Sequence, residues 1–192
     1  MNMTGVILAG GKGRRMGGAD KGLVDFLGKP MIEHVIQRIR PQVDEILINA
    51  NREVERYATF GHRVIQDEIA DFAGPLAGLH KGLVEAKHPY ILTVPCDSPL
   101  LPANLAKRLM NGLIERDADI AVAKTGMQAH PVFCLCRRSL LPSLKAYLDS
   151  GERKMANWIN TLDSIEISFT DNFQAFTNIN TLEELRWLEQ AA

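Results

Sequence analysis

The stretch Thr4-Gly5-Val6-Ile7-Leu8-Ala9-Gly10-Gly11-Lys12-Gly13-Arg14-Arg15-Met16-Gly17-Gly18-Ala19-Asp20-Lys21-Gly22 decides the fold. Residues 4–9 read as an apolar strand that runs straight into a loop, residues 10–22, with six glycines. The loop carries Lys12, Arg14, Arg15 and Lys21 against a single acid, Asp20, in a chain whose net charge is −1. Glycines let backbone N–H groups close on an anion with no Cβ in the way, and the cations neutralise it. A plain surface turn has no need of four cations at these spacings, so the loop is expected to hold a polyphosphate.

Two common phosphate loops are excluded. Gly28-Lys29 is followed by Pro30, and Leu23 stands where a Walker A loop needs its first glycine. The dinucleotide pattern G-x-G-x-x-G fails because Gly11-x-Gly13 leads to Met16. Downstream, short apolar runs alternate with helix-period segments. Strands are expected at 45–49, 63–66, 90–94 and 119–124, and helices at 30–40, 52–59, 75–87 and 102–116. That order predicts an α/β fold: a three-layer αβα sandwich around a mostly parallel, Rossmann-like sheet. Beyond residue 125 the alternation loosens. Strands at 132–136 and 164–169 join helices at 139–149 and 152–161, and Thr181 caps a last helix. The chain reads as a single domain, 1–192, in which about 1–124 holds a nucleotide and about 125–192 shapes an acceptor site.

In such sheets the ligand lies at the carboxyl ends of the strands. The polar residues there are the glycine loop, Asn49, Asp67 and Asp97. Asp97 sits in Val94-Pro95-Cys96-Asp97-Ser98-Pro99, where flanking prolines stiffen its position. Nucleotidyl transfer needs Mg²⁺ between phosphate oxygens and a carboxylate to hold it, which suits Asp97. Asp67 offers a carboxylate acceptor for N–H donors at that edge, with a turn cap as its other reading, whereas Asp71 reads first as a turn cap. Lys12 and Arg14 read equally as solvated loop charges, and a lone His130 before Pro131 reads as structural.

Composition narrows the class. At 192 residues, with 46% hydrophobic and 23% charged residues, the chain has the profile of a globular domain. Balanced charge argues against nucleic acid and anionic membranes as partners. No apolar run approaches a membrane span, and the start has no cationic segment of signal-peptide type. Cys96, Cys134 and Cys136 form no paired framework and no C-x-x-C, so reduced thiols and a cytoplasmic location are expected.

Leu8–Gly22 fits L-A-G-G-x-x-x-R-M-G-G-x-D-K-G. This resembles the nucleotidyltransferase family and, within it, the molybdenum cofactor guanylyltransferases. Gly74-Pro75-Leu76-Ala77-Gly78 and the N-x-N of Asn178-Ile179-Asn180 are similar to that family's later motifs. The resemblance implies catalytic roles for Arg15, Lys21 and Asp97, with Asp97 also binding Mg²⁺ or Mn²⁺. It implies a ligand pocket built from Leu8, Ala9, Gly10, Gly11, Lys21, Asn49, Asp67, Gly78, Asn178 and Asn180. The two late amides either bind the pterin edge or complete the metal shell, and Arg153 is a candidate cation for the acceptor's phosphate. The implied reaction moves GMP from GTP onto the terminal phosphate of molybdopterin. Implied partners are GTP and molybdopterin, with other cofactor-biosynthesis proteins and molybdoenzyme clients beyond them. Rival readings are cytidylyl transfer to the same acceptor, nucleotidyl transfer to a sugar phosphate, and a non-catalytic carrier of GTP or the pterin.

Overall fold

The computed structural model describes residues 2–9, 20–68, 74–176, 179 and 182–191. Within them the order is β1 (Met3–Leu8), β2 (Asp25–Phe26), β3 (Lys29–Pro30), α1 (Met31–Ile39), β4 (Glu45–Asn49), α2 (Val54–Ala58) and β5 (Arg63–Ile65). Then come α3 (Pro75–Glu85), β6 (Tyr90–Pro95), α4 (Leu105–Glu115), β7 (Ile120–Thr125), β8 (Gln128–Arg137), α5 (Leu141–Asp149), α6 (Met155–Ile159), β9 (Ser164–Ser168) and α7 (Leu182–Ala191). Seven strands make one sheet in the order β5-β4-β1-β6-β8-β7-β9. Only β8 runs against its neighbours; the other pairings are parallel.

Period-two alternation along each strand divides the core into two layers. Met3, Ile7, Ile46, Ile48, Leu92, Val94, Ala121 and Leu135 face one side, against Ile32, Val35 and Ile39 of α1 and Leu105, Leu109 and Leu113 of α4. Val6, Leu47, Ile91, Ile120, Val122, Cys134 and Cys136 face the other, against Leu76, Leu79 and Leu83 of α3, Leu144 and Leu148 of α5, and Met155 and Trp158 of α6. The expected three layers are thus present. Cys134 and Cys136, two apart on a strand, share one buried face; the three cysteines are free and buried. Among the described residues no helix is long and apolar enough to cross a membrane.

The structure corrects several expectations. The helix placed from Pro102 begins at Leu105, because the Pro102 carbonyl accepts from Leu105 N–H and closes a turn first. The helix expected over 152–161 is confined to Met155–Ile159. The strand expected at 132–136 starts at Gln128, after a two-residue turn at Gly126-Met127 that returns the chain beside β7. Its register against β7 jumps, with His130 opposite Ala123 and Cys134 opposite Val122, so Pro131–Phe133 form a bulge. Pairing of β8 with β6 reaches only Thr93↔Cys134. Strand β6 therefore delivers Val94 to Asp97 with no β8 partner alongside. A small antiparallel pair, β2–β3, was not read from sequence at all.

Candidate active site

Lys21 and Asp97 are 76 residues apart in sequence and meet in space: Lys21 Nζ donates to Asp97 Oδ2 at 3.0 Å. Asp97 follows the end of β6, and Lys21 opens a single 3-10 turn, Lys21–Leu23, at the exit of the glycine loop. Central parallel pairing of β1 with β6 places the ends of both strands side by side, with Leu8 opposite Pro95 and Cys96 N–H donating to the Leu8 carbonyl. Asp97 is 7% exposed, so its carboxylate is held largely out of water and its ion pair is weakly screened. Ile179, centre of the N-x-N motif, donates its N–H to the Asp97 carbonyl at 3.3 Å. The backbone of that late motif is thereby tied to the same acid.

One strand over, a second group sits on the same edge. Asn49 ends β4 and lies opposite Ile65 of β5. Its Nδ2 donates to Asp67 Oδ1 at 2.8 Å, and Asn51 Nδ2 donates to Asp67 Oδ2 at 2.7 Å. Asp67 N–H returns a bond to Asn51 Oδ1 at 2.8 Å, which fixes the orientation of that amide. Both Asp67 oxygens are thus engaged by neutral donors, and each keeps a lone pair for another. Gly78 belongs here for a steric reason. A Cβ on it would collide with Asn49 Oδ1 and stand 2.7 Å from Leu8 Cδ2. The absence of a side chain lets α3 approach β1 and β4 closely enough to back Asn49.

Of the residues expected in the site, Lys21 and Asp97 form one centre, and Asn49, Asp67 and Gly78 another. Leu8 and Ala9 lie between them at the end of β1, where Ala9 N–H donates to the Asn49 carbonyl at 2.8 Å. Gly10, Gly11, Lys12, Arg14, Arg15, Asp71, Asn178, Asn180 and Thr181 lie outside the described residues. Arg153 spends its Nη1 on the carbonyls of Leu148 and Glu152, which orders the α5–α6 connection. His130 accepts or donates a 2.6 Å bond with Thr125 Oγ1 and stacks on Phe176 at 5.0 Å; burial pushes its pKa down.

Sequence reasoning missed Asn51, Tyr57 and Cys96. An asparagine two positions after a strand-end asparagine could have been flagged by its period, which returns it to the same side. Tyr57 and Cys96 have no sequence signal, because a buried aromatic and a buried thiol look like core. A surface cavity of about 510 Å³ lies elsewhere, bounded by Lys87, Tyr90, Arg137 and Arg138. It sits at the amino ends of the parallel strands, the wrong edge for this ligand geometry. Its arginines are already bonded: Arg138 to the Leu83 and Val84 carbonyls, Arg137 to Ala118 O and Asp117.

The donor set at Asp97 fits a Mg²⁺ that arrives with a phosphate. Among the described residues no group of three or more His, Cys, Asp or Glu side chains converges into a cage. Mg²⁺ in phosphate chemistry keeps several waters and uses one or two carboxylates plus substrate oxygens. A single hard carboxylate fixed at a strand end meets that need.

A mostly parallel sheet with helices on both faces, a glycine- and cation-rich sequence following its first strand, and a Lys21–Asp97 pair at its carboxyl edge are the frame of a nucleotidyltransferase. Residues 5–165 match the MobA-like NTP transferase domain, and the chain belongs to that family. It is 52% identical over 184 residues to a molybdenum cofactor guanylyltransferase of Shewanella putrefaciens, covering 96% of this chain and 94% of that one. It is 50% identical to the enzyme of the same name from Polynucleobacter asymbioticus, covering 99% and 97%. Its fold is shared with the molybdopterin-guanine dinucleotide biosynthesis protein A of Archaeoglobus fulgidus, at a TM-score of 0.82 and 22% identity over 98% of each chain.

Proposed function

We propose that this protein transfers GMP from GTP to the terminal phosphate of molybdopterin, or of its molybdenum-loaded form, releasing pyrophosphate. The observation that carries the reading is the Lys21–Asp97 pair at the carboxyl edge of the sheet. It joins the phosphate loop to the acid best placed for a metal. Relatives named molybdenum cofactor guanylyltransferase at about half identity over nearly the full length supply the substrate class.

The attacking group is an acceptor phosphate oxygen. It is already an anion, so no protein nucleophile or strong base is required. The α-phosphorus of GTP gains a bond to that oxygen and loses its bond to the oxygen of the departing pyrophosphate. Catalysis is then positioning plus charge neutralisation. Lys21 is the point charge for the phosphate under attack, and Arg15 the fork for the leaving pyrophosphate. Asp97 is the residue that would hold Mg²⁺, or Mn²⁺ in its place, and the ion would supply neutralisation of phosphate charge. Asp67, braced by Asn49 and Asn51, accepts from guanine N–H groups; Leu8, Ala9, Gly10, Gly11 and Gly78 line the nucleotide's path. Asn178 and Asn180 take the acceptor, and Arg153 is a cation for its phosphate only after leaving the carbonyls it now bonds.

The test is pyrophosphate release with each nucleoside triphosphate, with and without molybdopterin. GTP should be used best and only in the presence of the acceptor. An unpaired buried polar group costs ~1–3 kcal/mol, so CTP and ATP should lose roughly 10–100-fold in kcat/KM. Equal rates with CTP would move the protein to the cytidylyl branch. Turnover with a sugar phosphate would replace the acceptor, and nucleotide binding without turnover would make it a carrier.

A further inference from the structure

Asp20, the one acid of the glycine-rich segment, is turned into the core. Asp20 is 8% exposed and its carboxylate points inward, where it accepts a hydrogen bond from the Tyr57 hydroxyl. Tyr57, on α2, is fully buried. The next two residues complete a clamp. Lys21 turns outward to Asp97, and Gly22 lies wedged between two side chains. A Cβ on Gly22 would stand 2.7 Å from Tyr57 Oη and 3.2 Å from both Cβ and Sγ of Cys96. Cys96 is the residue before Asp97. One turn of chain is therefore fixed from behind by a phenol and a thiol while its lysine reaches the catalytic acid in front.

Burial opposes charge on Asp20, and the Tyr57 hydroxyl is the largest influence favouring it, ahead of the Gly22 backbone and Arg52. A carboxylate so placed is costly unless its bonds are kept, so it holds the turn in one geometry. The nucleotide edge is thus braced by an element, α2, that carries no residue of the phosphate loop.

We propose that Tyr57, acting through Asp20 and Gly22, is a positioning residue for nucleotidyl transfer: it sets where the Lys21 ammonium stands relative to Asp97. This rests on the reading of Lys21 and Asp97 as the reaction centre. Tyr57→Phe keeps the buried ring and removes only the hydroxyl. Misplacing a catalytic group by about an ångström costs on the order of a hundred-fold. The variant should therefore lose about ten- to a hundred-fold in kcat, with KM for GTP changed by no more than about three-fold. Asp20→Ala removes the Gly22 backbone bond as well, so it should lose at least as much, and the double variant should be no worse than Asp20→Ala because the Tyr57 bond is already gone.

A second readout needs no reaction. Competitive acetylation of lysines, followed by mass spectrometry, reports how accessible Lys21 is relative to Lys145 on the surface helix α5. Lys21 labelling should rise several-fold in Tyr57→Phe while Lys145 stays constant. Tyr57→Phe with wild-type kcat and wild-type Lys21 labelling, even at a lowered Tm, would overturn the proposal and leave Tyr57 as core. If Lys21→Ala is itself fully active, the reaction-centre reading fails instead. If Lys21→Ala is impaired and Tyr57→Phe is not, the positioning role alone fails.

Discussion

Asp97 and Asp67 stand on the same edge of one sheet, yet they are held by opposite chemistry. Asp97 is paired with a cation, Lys21, and Asp67 with two neutral amides, Asn49 and Asn51. A cation partner is exchangeable for another cation, so the Asp97 centre suits charge that moves during a reaction. Amide partners fix direction without neutralising charge, so the Asp67 centre suits recognition of N–H donors that stay put. Strand ends supply the place in both cases, and the neighbouring residues decide how each carboxylate is held.

The hardest way to break this contrast is to delete the acid that should act in the reaction. Asp97→Ala should lower turnover on the order of a thousand-fold, because metal-borne charge stabilisation is worth several kcal/mol. Its far-UV spectrum should stay native. Near-normal turnover at saturating Mg²⁺ would remove Asp97 from the mechanism.

Lys21→Ala comes next. A cation used mainly as charge redistributes should appear in kcat, with a loss of about a hundred-fold and a smaller change in KM. A steady-state series in GTP separates the two constants. A rise in KM alone would make Lys21 a ground-state anchor and erase its difference from the Asp67 side.

Asp67→Asn probes the recognition centre. One acceptor oxygen becomes an NH₂ that faces an amide donor. Asn51 cannot turn to suit it without losing its bond from Asp67 N–H, and Asn49 also donates weakly to the Ile65 carbonyl. With a cost of ~1–3 kcal/mol for the mismatched group, KM for GTP should rise about ten-fold while kcat stays within about three-fold. A loss confined to kcat would put Asp67 with Asp97 rather than opposite it.

The smallest effect concerns pH and separates folding from the two carboxylates. Burial depresses the pKa of His62, His80 and His130, with His80 Nδ1 buried and lacking a hydrogen-bond partner among the described residues. The unfolded chain takes protons near the ordinary value of about 6.5, whereas the native chain resists them until lower pH. Stability is therefore full above that value and falls with pH until the depressed native values are passed. The denaturation midpoint in urea should drop between pH 7 and pH 5, and a His80→Asn, His130→Gln variant should flatten that slope. The carboxylates held low at Asp44, Glu45 and Glu85 act below this window, from about 4.5 downward. An unchanged slope in the variant would assign the pH dependence to other groups.

The strand ends were legible in the sequence because apolar period and a following polar residue are local signals. Asn49, Asp67 and Asp97 were found in that way, and Lys21 through its loop. The position of β8 was not legible. Its antiparallel insertion between β6 and β7 is a matter of strand order, which no local period encodes, and Gln128-Ala-His-Pro lacks the alternation that marks its other half. Tyr57 and Cys96 escaped because their roles come from what they touch, an inward-facing acid and a glycine, whereas Asn51 carried a local signal in its two-residue spacing from Asn49. Asp20 was counted as loop charge, and its burial appears only once α2 is packed beneath it.

In the proposed reaction the α-phosphorus of GTP is the atom transferred. The direct measurement is the fate of label in GTP marked at the α-phosphorus, incubated with Mg²⁺ and molybdopterin. The label should enter a pterin–guanine dinucleotide in step with release of unlabelled pyrophosphate. Label left in GDP, with a terminal phosphate moved to the acceptor or to water, would contradict that transfer.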